Sequence, residues 1–386
     1  MNEKRPAKSR SVPPPSRRPR IRLAQPASAS GPLERAPSLR GLRARPSAVI
    51  APGTILGRRY QLHSKIGAGG MGVVYGAIEM STGEEVAIKV LSSEAATPQN
   101  VRRFRREAHT AAAVKNRYCC QVLGAGVDAG APYIVMERLE GETLRRRLQD
   151  DGALSAADAV SIMLQILEGL SAAHAVGVLH RDIKPGNIFL TTGRGAPPTI
   201  KIIDFGLAKL LLMTKWHLRT SMGQEDMSSI TSTDVVPGTP MYLAPEQIGG
   251  DRDLDQRVDV WAAGLTFYEM LLNQRAFSGS TYVALAKSIV LSTLPAVSTL
   301  RSDLPPGFDR LLAQALAKRR DQRFPSASAF REALLDEWAL FRTAAVARGQ
   351  QLRKFRGKEK NVPAIVEVEE PTEINVDILF DPEGLG

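Results

Sequence analysis

The chain has 386 residues, 43% of them hydrophobic, enough for one large two-lobed domain or two ordinary ones with a sizeable core. Its net charge of +11 sits at the ends: residues 1–50 carry twelve Lys/Arg against two Glu, residues 339–360 carry seven against Glu359, and residues 361–386 carry seven acidic residues and no Lys or Arg. The nearly neutral body argues against nucleic acid as the primary partner, the lack of a run of about 18 apolar residues argues against a membrane span, and the basic N-terminus lacks the apolar segment of a secretory signal.

In chain order, residues 1–52 are rich in Arg, Pro, Ser and Ala, with Pro13-Pro14-Pro15 at their centre. Such a stretch buries too little apolar surface to offset its ordering entropy, so disorder is expected there. Tyr60–Glu79 and Glu85–Val90 have the β-branched, glycine-punctuated texture of strands. Pro98–Val114 reads as a helix. Beyond Glu137 the pattern is mainly helical, over Ser155–Ala175, Asp255–Leu272, Ser280–Leu291, Phe308–Ala317 and Ser326–Trp338. Strands first and helices later predict an α+β fold with a small β-rich lobe and a larger helical one. Residues 339–386 read as a C-terminal extension, a basic helix-like stretch followed by an acidic extended tail. The two cysteines, Cys119 and Cys120, are adjacent and fit neither a disulfide nor a metal spacing, so they are expected as buried or free thiols in a reducing, cytoplasmic compartment.

The first chemical signal is Gly67-Ala68-Gly69-Gly70-Met71-Gly72, with Ile66 before it and Val73 and Val74 after it. Glycines let a backbone approach phosphate closely. This spacing also marks dinucleotide folds, but those need a helix straight after the glycines, and Val73-Val74-Tyr75 continues as a strand. Fifteen residues past Val74 comes Lys89, within Val86-Ala87-Ile88-Lys89, placed to offer its ammonium to the α- and β-phosphates. A strand lysine alone is more often simply solvated, and a Glu beside two Arg, as Glu107 is, more often surface charge; both assignments rest on the whole pattern.

The decisive segment is His180-Arg181-Asp182-Ile183-Lys184-Pro185-Gly186-Asn187. Phosphoryl transfer needs an oriented nucleophile and cations against the phosphate charge, and a carboxylate, a lysine and a metal-binding amide within six residues supply that set. Asp204-Phe205-Gly206 and Ala244-Pro245-Glu246 follow in order. Over about residues 60–338 the chain resembles the bacterial eukaryotic-like serine/threonine protein kinases.

The resemblance implies the two-lobed kinase fold, with ATP and Mg²⁺ (or Mn²⁺ in its place) as cofactors and Ser/Thr-bearing proteins as substrates. It implies Asp182 as the base and Lys184, Asn187 and Thr239 as its companions, with Thr239 touching both Asp182 and Lys184. Asn187 and Asp204 would hold the metal. The glycine loop and Lys89, paired with Glu107, would hold phosphates. Met136 would be the gatekeeper, Glu137 to Leu139 the adenine hinge, and Val74, Ala87 and Phe189 would sandwich the base. Asp259 would brace the catalytic loop, and Arg323 would pair with Glu246. Activation by autophosphorylation is implied at Thr231 or Thr233, opposite Arg181, with a homodimer as one arrangement for transfer in trans.

Three departures stand out: Lys115–Cys120 replaces the usual turn after the first helix, Ala111 is small for its position, and Leu210–Ser229 reads as an insertion. Three other functions fit these residues less well. A pseudokinase would lack Lys89, Asp182 or Asp204, and all are present. A small-molecule kinase usually lacks Gly238-Thr239-Pro240-Met241-Tyr242. A nucleic-acid-binding N-terminus would want aromatic residues for stacking, and residues 1–50 have none.

Overall fold

The computed structural model describes residues 50–69, 72–91, 104, 108–191, 198–205, 240–251 and 253–356, with side chains in the last helix through 344 and at 346. The run after Tyr60 forms strands as expected: β1 (Ile55–Leu56), β2 (Tyr60–Gly69), β3 (Gly72–Glu79) and β4 (Glu85–Leu91). Two strands that the sequence reading did not single out, β5 (Val122–Asp128) and β6 (Ala131–Glu137), complete an antiparallel sheet in the order β1-β2-β3-β4-β6-β5. Strand β4 lies between β3 and β6, so its residues Val86–Leu91 are buried without alternation. The hairpin of β2 and β3 pairs down to Gly69 opposite Gly72. Gly72 has φ 154°, and a Cβ there would collide with the Val90 carbonyl oxygen, so only glycine fits beside β4.

The helical lobe begins with α1 (Leu144–Asp151) and α2 (Ala156–Ala175). Ser155 caps α2, its Oγ accepting the Asp158 N–H at 3.1 Å. Helix α2 is 20 residues long with a mean hydropathy of 1.3, enough by length and composition to cross a membrane. Its apolar residues instead face the core of this lobe from nearly every side, and Ala159, Ile166, Leu167 and Leu170 are wholly buried. Against these helices packs a three-stranded sheet of β7 (Glu142–Thr143), β8 (Ile188–Leu190) and β9 (Ile200–Ile202), whose Ile188, Leu190, Ile200 and Ile202 belong to the core of this lobe.

Helix α3 (Arg257–Leu272) is the spine of the large lobe, buried at 14 of its 16 positions from Val258 to Leu271. Around it stand α4 (Tyr282–Leu291), α5 (Gly307–Ala315) and α6 (Ala327–Arg356). Sequence boundaries for these helices hold to within about two residues except at the end. Helix α6 does not stop near Trp338 but runs 18 residues further, through Arg342 and Arg348. Trp338 stacks on Phe341 at 5.7 Å and approaches Phe308 at 6.3 Å, which anchors that extension where the domain core ends.

The expected pair of Arg323 and Glu246 is present, bidentate at 2.7 and 2.8 Å, with the Arg323 side chain fully buried. Arg323 also donates to the carbonyls of Ala317, Arg257 and Lys318, and its guanidinium lies 4.9 Å from the Trp261 ring centre. This ties the segment after Ala244 to α3. Glu246→Ala would leave a buried cation without its counter-charge, and we expect a loss of about 3 kcal/mol in a denaturant titration. An unchanged midpoint would mean that the pair contributes nothing.

Cys119 and Cys120 are both free and buried, as expected. Burial pushes the Cys119 thiol up to about 12 and that of Cys120 higher still, so neither is a reactive thiolate. The unusual Lys115–Cys120 turn is closed by Asn116, which accepts N–H bonds from Tyr118 through its side chain and from Cys119 through its carbonyl.

Candidate active site

The roof of the site is one face of the large sheet. Gly76, Ala87 and Met136 stand opposite one another across β3, β4 and β6, and so do Val74, Lys89 and Ile134. Side chains alternate along a strand and directly paired residues share a face, so Val74, Ala87, Lys89 and Met136 look the same way. Gly67 pairs with Val74, which sets the described part of the glycine loop above them, with Ile66 exposed at its edge. The floor is β8, where the Phe189 ring lies beside Gly141. Gly141 has φ 131°, and a Cβ there would strike the Leu190 carbonyl oxygen, so this glycine lets the segment after Glu137 and Leu139 drop onto the floor.

Lys89 is nearly buried, its side chain 8% exposed, and a buried ammonium needs a counter-charge. It has one in Asp204, whose Oδ2 lies 2.7 Å from Nζ. The expected partner Glu107 lies outside the described residues, as do Gly70, Met71, Gly206, Thr231, Thr233, Gly238, Thr239 and the Leu210–Ser229 stretch.

The catalytic-loop residues converge on one carboxylate. Asp182 Oδ2 accepts from Lys184 Nζ at 2.7 Å and from Asn187 Nδ2 at 3.0 Å, and Asn187 also donates to the Asp182 carbonyl at 2.8 Å. The Asn187 amide oxygen and the Asp204 carboxylate are hard oxygen donors, few in number. That suits Mg²⁺, which keeps waters and substrate phosphates in its shell rather than a full protein cage. Among the described residues no cluster of three or more His, Cys, Asp or Glu offers a competing metal site.

Two of the five non-glycine residues with positive φ among the described residues lie at this place. Arg181 and Asp204 adopt φ of 63° and 61°, uncommon for residues with a Cβ. Asp259, in the first turn of α3 and fully buried, holds the first of these. Its oxygens accept the backbone N–H of His180 at 2.8 Å and of Arg181 at 2.7 Å, and lie 2.9 Å from His174 Nε2. Burial alone would raise the Asp259 carboxyl, but the His174 bond and the N–H donors leave it below the usual range.

His180 fixes the second bend. Its Nδ1 accepts the Asp182 N–H at 3.2 Å, so Nε2 carries the proton and donates to the Ile203 carbonyl at 3.0 Å. The ring also lies 4.9 Å from that of Phe205. Burial pushes its pKa below the usual 6.5, with Asp259 opposing. The sign follows: above pH 6.5 the group is neutral folded or unfolded, and below it only the unfolded chain takes the proton. Stability therefore falls as pH drops through 6.5, by up to about 1.4 kcal/mol per pH unit from this group. His180→Gln is expected to flatten the melting-temperature profile between pH 5 and 7, and an unaltered slope would put the acid sensitivity elsewhere.

Sequence reasoning missed a half-buried triad of Arg145, Tyr242 and Glu269. Arg145 of α1 donates to Glu269 of α3 at 2.5 Å and to the Tyr242 hydroxyl at 2.6 Å, and that hydroxyl donates to Glu269. Burial, then the Glu269 carboxylate, push the Tyr242 phenol well above its usual value, so it stays a donor. The triad clamps the segment after Pro240 to α1 and α3. Tyr242 lay within a quoted motif, but nothing local in the sequence points to its partners 97 and 27 positions away.

Comparison with known proteins agrees with this geometry. The protein kinase domain family matches residues 60–338. The probable serine/threonine-protein kinase PknB of Bifidobacterium longum is 35% identical over 294 residues, covering 74% of this chain and 40% of that protein. The serine/threonine-protein kinase PknL of Mycobacterium tuberculosis is 35% identical over 305 residues, covering 78% and 72%. The chain thus spans two fifths of the first relative and most of the second. Among solved structures, the M. tuberculosis PknI kinase domain superposes with a TM-score of 0.59 at 26% identity, over 75% of this chain and all of that one. Rad53 1–466 in complex with AMP-PNP gives 0.56 at 25% identity, over 71% and 64%. A chain with this fold, this loop and these relatives belongs to the protein kinase family, in its bacterial eukaryotic-like serine/threonine branch.

Proposed function

We propose that the domain transfers the γ-phosphoryl group of ATP to Ser and Thr hydroxyls of protein substrates. The observation that supports this best is the Asp182 carboxylate held by Lys184 and Asn187, with Lys89 and Asp204 paired at 2.7 Å beneath the roof. In this reading the acceptor hydroxyl gives its proton to Asp182 as its oxygen attacks the γ-phosphorus, and the bond to the β–γ bridging oxygen breaks to release ADP. Lys184 meets the negative charge on the transferred group. Asn187 and Asp204 would hold Mg²⁺, which when bound supplies positive charge against the phosphates. Val74, Ala87, Met136 and Phe189 would enclose the adenine, with the backbone of Glu137 to Leu139 along its edge. Thr239 would complete the alignment of Asp182.

Autophosphorylation at Thr231 or Thr233 is part of the proposal. A phosphate there would add about −1.5 to −2 charges and three acceptor oxygens, which Arg181 could receive. The test is incubation of the purified protein with ATP, Mg²⁺ and a generic basic protein. We expect phosphate on Ser and Thr of that substrate and, by mass spectrometry, on the kinase at Thr231 or Thr233. ATP hydrolysis with no phosphoprotein formed would refute the reading.

A further inference from the structure

We propose that Lys201 is a positioning residue for the nucleotide, its ion pair with Glu137 setting the separation between the hinge and the Asp204 carboxylate; this rests on the kinase reading above. Lys201 is the middle residue of β9, three positions before Asp204. Its Nζ lies 2.8 Å from Glu137 Oε1, and the same oxygen accepts the Gln121 N–H at 2.7 Å. The Glu137 backbone N–H in turn donates to the Gln121 carbonyl at 3.0 Å. The last residue of β6 is therefore pinned through main chain and side chain together.

Strand β9 is held from its other side. Cys120 N–H donates to the Ile202 carbonyl at 2.8 Å, and Ile202 N–H donates to the Tyr118 carbonyl at 2.7 Å. Residues 118–121 are thus bonded both to β9 and to the hinge, and Lys201 closes the ring by joining β9 to the hinge directly. Immediately beyond β9, Ile203 N–H donates to the Asn187 carbonyl at 2.9 Å and Asp204 meets Lys89.

A nucleotide lying from hinge to Asp204 must match the distance between them, and that distance is what this ring holds fixed. The ordinary alternative is that Lys201 is a solvated strand residue. Its 22% side-chain exposure, the 29% of Glu137 and the shared acceptor oxygen argue for more. A pair in that range is screened less than a surface one, yet avoids the full cost of burial.

The experiment measures AMP-PNP binding with Mg²⁺ by calorimetry, together with KM for ATP and for a peptide substrate and the melting temperature. Wild-type transfer is established first, so failure of the kinase reading is seen separately from failure of this one. Lys201→Met should weaken nucleotide binding about tenfold and raise KM for ATP in step, with peptide KM within about twofold of wild type. The exchange Glu137→Lys with Lys201→Glu should recover part of that loss, as coupled groups do in a double-mutant cycle. Glu137→Gln, which keeps the backbone and removes the charge, should weaken nucleotide binding in the same way even if Lys201→Met fails to fold. Nucleotide affinity within twofold of wild type in the Lys201→Met and Glu137→Gln variants would overturn the proposal. So would a lowered melting temperature with unchanged affinity, which marks a merely structural role.

Discussion

Asp182→Asn is expected to lower phosphoryl transfer about 10³-fold or more while nucleotide binding persists. The carboxylate lies in the loop with its side chain 7% exposed, and it engages Lys184 and Asn187 through one oxygen. An amide of the same shape still offers a carbonyl oxygen to those donors, so the loop should keep its form. What it loses is the charge that draws the proton from the acceptor hydroxyl and the basicity to hold it. The expectation is a collapse in kcat, with AMP-PNP affinity within a few-fold of wild type and the melting temperature nearly unchanged. Wild-type-like turnover would remove Asp182 from the mechanism.

Lys89→Met is the second large effect. Lys89 sits on a strand buried on both faces, its apolar stem in the sheet and its ammonium on Asp204. Methionine can fill the stem's place, and Asp204, whose side chain is 33% exposed, retains contact with water. The fold should therefore survive the loss of the pair. Transfer should not, because in the proposed mechanism Lys89 would face the α- and β-phosphates, in a site where such charges act with little reorganisation. A fall of about 10²- to 10³-fold in kcat/KM is expected, with cooperative melting retained. A protein that no longer folds would show that the position is structural instead.

The sequence disclosed chemistry that is local along the chain and hid what depends on distant pairs. His180 to Asn187 fall within eight positions, so their meeting at Asp182 follows from one loop. Of the roof, Lys89 could be set on a buried strand from its apolar neighbours, whereas Val74, Ala87 and Met136 could be placed only through the family resemblance. Strand β5 passed unnoticed because Gly124 and Gly126 weaken its pattern, and β6 because Pro132 interrupts it near its start. Asp259, Arg323 and Glu246 could be placed only through the family resemblance, since no local property separates them from surface charges. Arg145, Glu269 and Lys201 carried no signal at all, because their partners lie 27 to 124 residues away and only the folded chain brings them together. The basic stretch after residue 339 read as helix-like, and it is helical to Arg356, but as the continuation of α6 rather than as a separate element, because helix formers continue from Trp338 into it without a break.

In the proposed reaction this site moves the terminal phosphoryl group, and no other part of ATP, onto protein hydroxyls. The most direct measurement supplies the purified protein and a basic protein substrate with ATP labelled either at the γ- or at the α-phosphate, in Mg²⁺, and reads label in acid-stable phosphoserine and phosphothreonine. Label is expected from the γ-position alone, and none in Asp182→Asn. Label arriving from the α-position would mean attack at the wrong phosphorus and transfer of a nucleotidyl group, and either that result or no transfer from either position would contradict it.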